Sequence, residues 1–182
     1  MSVAHSSPMM STLRYIVPLV NDYVFNSLGD KLVEQLRSSV GITTRTGACQ
    51  FIIDLCLQRQ QLLMSCRSSC DKMVRVLLNG LNDRNPVIKK QFSSCLSYLL
   101  PFSSKREVNR ILDYIKQKLR NEQDEEKMTV LHLLRALSRN TEILSESLSA
   151  VVPFIFLYKC QEVAKNDEAG KKNLEMWDEL WS

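Results

Sequence analysis

Asp71 to Leu100, DKMVRVLLNGLNDRNPVIKKQFSSCLSYLL, is the best-formed unit of this chain. Its first half, with Cys70 just before it, places Cys70, Val74, Leu77, Leu78 and Leu81 at the i, i+4, i+7, i+8, i+11 spacing of one helical face. The second half repeats the spacing with Ile88, Phe92, Cys95, Leu96 and Leu99. Between them Asn82-Asp83-Arg84-Asn85-Pro86 stops one helix and starts the next. Asn85 is placed to cap the second helix, and Pro86 suits its first turn, where a missing N–H costs nothing. The stretch therefore predicts two helices folded back on each other. A lone hairpin of this kind leaves an apolar flank uncovered, so it needs neighbours stacked beside it.

The rest of the chain supplies such neighbours. Its 182 residues, 45% of them apolar and 24% charged, are enough for a sizeable core, and five Gly and five Pro favour long helices over a turn-rich β fold. Met1 to Met10 is small and polar and reads as a disordered leader. It lacks the basic start and apolar run of a secretory signal. Leu13, Ile16, Val17, Val20 and Val24 begin a helical pattern with Pro18 as a kink, and Leu32, Val33, Leu36 and Val40 continue it after Gly29-Asp30, as two helices or one interrupted helix. Thr43 to Arg59 reads as an inner helix with Ala48, Phe51, Ile52 and Leu55 on one face; the small Gly47 and Ala48 admit a close neighbour. Ser104-Lys105-Arg106-Glu107 has the form of a capping box. It opens a helix with Val108, Ile111, Leu112, Ile115 and Leu119. Asn121 to Glu126 is the next turn, followed by a helix with Met128, Leu131, Leu134 and Leu137. A further apolar helix is expected over about Ser145 to Val163, and Leu174, Trp177 and Trp181 share a final face. The most apolar run, Ala150 to Tyr158, contains Pro153 and falls far short of the roughly 20 residues of a membrane span.

Residues that could carry chemistry form no recognisable constellation. The six cysteines are Cys49, Cys56, Cys66, Cys70, Cys95 and Cys160; most sit among apolar residues at helical spacing, which marks buried thiols rather than a disulfide framework. Cys66 and Cys70 have no second ligand pair at zinc spacing. His5 lies in the leader. His132, between Leu131 and Leu133, reads as a structural histidine, and neither histidine belongs to a nucleophile motif. Glu122, Asp124, Glu125 and Glu126 lack the glycine and alternating ligands of a calcium loop. The expectation is therefore no enzyme, no cofactor and no metal, with a Cys-nucleophile enzyme as the remote alternative. The +4 net charge, spread along the chain, is not the concentrated basic stripe of a nucleic-acid binder.

Aligning the starts of the inner helices puts Arg45, Lys89 and Lys127 at one position, with Leu55, Leu99 and Leu137 following as shared core. The 44 residues from Arg45 to Lys89 and the 38 from Lys89 to Lys127 lie in or near the roughly 40 to 47 of HEAT and armadillo units. VLLNGLNDRNPVIKKQ resembles the HEAT consensus where an Asp closes the first helix and an aliphatic-basic pair opens the second, here Asp83, Ile88 and Lys89. That resemblance implies an all-α HEAT-repeat α-solenoid of about four hairpins, over roughly 11–60, 65–101, 104–139 and 145–182 after the 1–10 leader. It also implies a polar ladder of acids and bases from adjacent repeats, drawn from Asp83, Arg45, Lys89 and Lys127. Ser39 and Asn121 depart from the pattern where Asp is expected.

SSVGITTRTGACQFIIDLC, LLNGLNDRNPVIKKQFSSCLSYLL and LEMWDELW, in that order, resemble landmarks near the C-terminal end of the proteasome adaptor and scaffold protein family, whose members are very large HEAT-repeat proteins. The likeness runs from about Leu32 to Trp181, with Tyr23 to Lys31 lengthening the first outer helix, and implies that the chain corresponds to a piece of such a protein. It further implies a non-enzymatic scaffold that binds the 26S proteasome, helps hold core and regulatory particles together, contributes to quality control of the assembly, and links it to endosomes and endoplasmic reticulum. Cytoplasmic and nuclear localisation follows from the same likeness. A HEAT-type nuclear transport adaptor is the alternative, against which the positive charge argues. Arg84, Lys90, Arg106 and Arg110, with Lys89 and Lys105 beside them, form a candidate docking patch for an acidic partner.

Overall fold

A computed structural model describes residues 8–37, 40–120 and 124–138, with isolated positions 152–153, 156, 174–175 and 178. Every regular element among these residues is helical. The chain divides into two compact units, Met1–Val108 and Asn109–Ser182.

In the first unit α1 spans Pro8–Ile16. Residues 8–10, expected in the disordered leader, belong to this helix, Pro8 suiting a first helical turn; residues 1–7 lie outside the described residues. A 3-10 turn, Val17–Leu19, follows. Pro18 ends the helix instead of kinking it, because its ring has no N–H and obstructs the preceding turn. The break redirects the apolar pattern: Val17 and Val20 are buried, whereas Ile16 and Val24, expected on the same face, are exposed.

Helix α2, Asp22–Gln35, is capped by Asn21, whose Oδ1 accepts the Val24 N–H at 2.9 Å. It runs unbroken through Gly29-Asp30, so the second of the two expected helices is its continuation. Gly29 is buried there, and a Cβ at that position would lie 3.3 Å from the Ser69 Cβ. The glycine is a close-approach residue rather than a stop. Helix α3, Ile42–Gln58, is buried nearly all round, Arg45, Thr46 and Asp54 included. The short α4, Gln60–Ser65, buries Leu62 and Leu63 and has no counterpart in the sequence reading. Helices α5, Arg67–Gly80, and α6, Pro86–Leu99, are the hairpin expected from the opening stretch. Asn85 caps α6 through the Val87 N–H at 2.9 Å.

These helices pack as two successive hairpins, α2/α3 and α5/α6. The first helix of one lies on the first helix of the next, α2 on α5, and the second on the second, α3 on α6. That is how stacked repeats cover the flank a single hairpin leaves open. Phe92, Leu96 and Leu99 of α6 and Ile52 and Leu55 of α3 are essentially sealed from solvent, each side chain contributing about 1.5–3 kcal/mol by burial.

Helix α7, Lys105–Arg120, crosses into the second unit, where α8 spans Asp124–Leu137. Ile111, Leu112, Ile115 and Leu119 are buried, as are Leu131, Leu134 and Leu137. Asp124–Glu126, expected in the turn, belong to the first turn of α8. The fourth expected hairpin, 145–182, lies outside the described residues apart from the isolated positions, as do Asn121 and Ser39.

Candidate functional site

The first turn of α3 places Arg45 against the turn between α5 and α6. Its Nη1 donates to Asp83 Oδ2 at 2.8 Å, and its guanidinium carbon lies 5.1 Å from the centre of the Phe92 ring. Arg45 is only 4% exposed. A guanidinium is tolerated at such burial when a carboxylate and an aromatic face take its charge. Asp83 Oδ1 accepts the Asn85 N–H at 2.8 Å, so one carboxylate shapes the turn and holds the neighbouring hairpin. The Asn85 N–H first, and then the Arg45 guanidinium and the Lys89 charge, hold its carboxyl below the usual 3.8, against the opposing effect of burial. Phe92 in turn is backed by Gly80: a Cβ there would press into the ring.

Of the four residues the HEAT resemblance assigned to a ladder, the fold brings Arg45, Asp83 and Lys89 together. Lys127 lies in α8, and its side chain falls outside the described residues. The basic set is divided. Arg84 and Lys90 are exposed at the α5–α6 turn, whereas Arg106 is exposed after the far end of α6, about 20 Å away along the axis of a helix of this length. Arg110 is exposed on α7, in the second unit. Within the first unit, the length of α6 thus lies between Arg84 and Arg106.

A second polar row joins the outer helices and was missed. From α4 and α2 to α5 it comprises Ser65 to Asp22 at 3.2 Å, Ser69 to Asn26 at 2.9 Å and Lys72 to Asp30 at 2.8 Å. The expected capping box is replaced by the next step of the same row. The Ser104 backbone N–H goes to Asp71 Oδ1 at 2.8 Å, and the buried Glu107 carboxylate accepts from Arg75 Nε at 2.8 Å. A carboxylate three residues after a serine serves either purpose, and the neighbouring hairpin decided. The separations of about one repeat, 43 and 42 residues for Ser69–Asn26 and Lys72–Asp30, were the available signal.

These polar contacts join one hairpin to the next. Among the described residues no group of three or more His, Cys, Asp or Glu is arranged to hold a metal, and no helix is long and apolar enough to cross a membrane. His132 is half-buried on α8. Cys49, Cys56, Cys66, Cys70 and Cys95 are free and buried; Cys160 lies outside the described residues. Burial pushes the Cys70 thiol up to about 12, and it raises Cys56 and Cys95 well above the usual thiol range, Cys95 with help from its bond to Cys49. These thiols are packed, not activated. In peptide-resolved labelling with iodoacetamide at neutral pH, all five are expected to react only as the protein unfolds in urea; fast native-state labelling of any of them would mark an activated thiolate.

The chain resembles known proteins over most or all of its length. The family model described as "Proteasome adapter and scaffold protein ECM29, HEAT-repeat domain" matches residues 1–120. The human "Proteasome adapter and scaffold protein ECM29" is 28% identical over 183 residues, covering 100% of this chain and 10% of the relative. The Drosophila melanogaster "Proteasome-associated protein ECM29 homolog" is 24% identical, covering 98% and 9%, and the Schizosaccharomyces pombe "Proteasome component ecm29" is 26% identical, covering 100% and 10%. The chain therefore spans about a tenth of the length of these relatives. No solved structure matches it. The family match, over the same residues in which consecutive hairpins stack and Arg45 pairs with Asp83, means that the chain belongs to the family of the proteasome adapter and scaffold protein ECM29, within its HEAT-repeat domain.

Proposed function

We propose that this chain is a non-enzymatic scaffold segment that associates with the proteasome. The observation that carries the reading is the family match over residues 1–120, on a chain whose buried polar groups tie hairpin to hairpin. The relatives' names supply the partner. A stack of hairpins with fixed spacing is suited to presenting a long surface to another protein. Within this reading the segment contributes to holding core and regulatory particles together, to quality control of that assembly, and to linking proteasomes with endoplasmic reticulum and endosomes, in the cytoplasm and nucleus.

The test is affinity purification of the tagged chain from cell extract, followed by quantitation of co-eluting proteins. Proteasome subunits in stoichiometric amounts are the expected result. Transport factors in their place would favour the nuclear-transport reading, and neither would leave a scaffold of other partners.

A further inference from the structure

The helices of the first unit stand in two rows. The inner row is α1, α3 and α6, and the outer row is α2 and α5. On α3, Arg45 meets Asp83 and Phe92 on the α6 side, and Asp54 accepts from Arg14 Nε of α1 at 3.4 Å. Arg45 and Asp54 are about two and a half turns apart and so face opposite ways. Helix α1 therefore extends the inner row past α3, whereas among the described residues the outer row stops at α2, which packs chiefly on α5 and α3.

The flank of α2 at which the row stops is apolar. Asn26 and Asp30 bond to Ser69 and Lys72 of α5. Val24 stands two residues before Asn26, and Leu28 stands midway between Asn26 and Asp30. Each step is about 100° around the helix, so both side chains point away from α5. Val24 is 41% exposed and Leu28 half-buried. Leu19, in the turn before α2, is 76% exposed, and Ile16, two residues on from Arg14 in α1, is exposed on the side away from α3. One hairpin later the same positions are covered. Asp71 and Arg75 of α5 bond to Ser104 and Glu107 as Asn26 and Asp30 bond to α5, which makes Ser69 and Met73 the counterparts of Val24 and Leu28. Both are buried, Ser69 against Asn26 and Gly29 of α2. Among the described side chains of α5 to α8, Val87 is the one large apolar group left exposed.

We infer that this flank is the docking site for an amphipathic helix of a partner protein, which lies on α2 as α2 lies on α5 and covers Ile16, Leu19, Val24 and Leu28. The site continues by one place an interface the stack already uses. Val24 and Leu28 recur one turn apart and carry no charge, so the helix that fits them has an aliphatic stripe with one side chain per turn. Ser27, the counterpart of Lys72, is exposed beside them and supplies a polar contact. The inference stands on the packing of the first unit and does not depend on the proteasome reading.

The test uses the full chain and a fluorescein-labelled, hydrocarbon-stapled helical peptide with leucine at i, i+4, i+7 and i+11 and Glu and Lys elsewhere, followed by anisotropy. The wild type is expected to bind it, and Val24→Lys with Leu28→Lys to bind it roughly tenfold more weakly. If that pair impairs folding, Leu19→Ser with Val24→Ser, both at exposed positions, carries the test with a severalfold loss. Val87→Ser, at the exposed apolar side chain of α6, should leave binding unchanged. Absence of binding to the wild type, or equal binding by the wild type and the Val24 and Leu28 variant, overturns the proposal. So does equal binding of a peptide of the same composition with its leucines moved off the stripe. Self-association of the wild type that the variant abolishes overturns it in favour of a second copy as occupant. Binding to phosphatidylcholine–phosphatidylserine vesicles that the variant abolishes overturns it in favour of a membrane surface. Loss of peptide binding by a variant that still captures the proteasome upholds the helix site and leaves the proteasome reading standing.

Discussion

Replacing Asp83 with Ala is expected to lower the free energy of unfolding by about 3 kcal/mol, because it strands a guanidinium in the interface between hairpins. Arg45 is 4% exposed, and its Nε already lacks a partner among the described residues. Loss of the Asp83 carboxylate removes its one ion pair and leaves only the Phe92 face. The melting temperature should fall by about 10 °C. Arg45→Met combined with Asp83→Ala should recover much of the loss, since an apolar side chain of similar volume suits the same space. If the double variant is as unstable as the sum of its parts, the two residues do not act as a pair. Acid adds an independent check. The folded carboxyl of Asp83 titrates below 3.8, so its stabilisation is complete above that value and is lost as pH falls through the lower, folded one. The stability difference between wild type and Asp83→Asn should therefore shrink as the pH drops below 3.8, and a constant difference would exclude this origin.

Gly80→Ala should destabilise the protein by about 2 kcal/mol, opposite in sign to the usual effect. At an ordinary helical position alanine gains about 1 kcal/mol over glycine. Here the added methyl would press into the Phe92 ring, which is fully buried and already in contact with the Arg45 guanidinium. Overpacking of this kind costs about 1–3 kcal/mol. Phe92→Leu in the Gly80→Ala background should restore part of the stability, although it destabilises the wild type. A neutral Gly80→Ala would mean that the ring moves aside at no cost, and that the packing behind Arg45 is looser than described.

Much of the architecture was legible because its signal is periodic. The α5–α6 hairpin could be read directly: two runs at i, i+4, i+7, i+8, i+11 flank a turn in which Asn85 and Pro86 have unambiguous roles. The pairing of Arg45 with Asp83 was within reach through the HEAT resemblance, but the depth of Arg45 was not. On α3 polar and apolar residues are buried alike, so amphipathic spacing says little about which charge lies inside. Helix α4 is too short to display a period. Gly29-Asp30 has the composition of a break, and only the proximity of Ser69 reveals a glycine chosen for contact. The outer polar row escaped because each member has an innocent local reading. Glu107 looks like a cap and Asp71 like a helix-start acid until the neighbouring hairpin is in place.

Hydrogen exchange on the Asp83→Ala protein, resolved by peptide, tests most directly whether the hairpins are stabilised by one another. Stacking through Arg45 predicts that amide protection falls together in α3 and α6, although the substitution lies in the turn that belongs to α6 alone. Loss confined to residues 81–99, with α3 as protected as in the wild type, would contradict it.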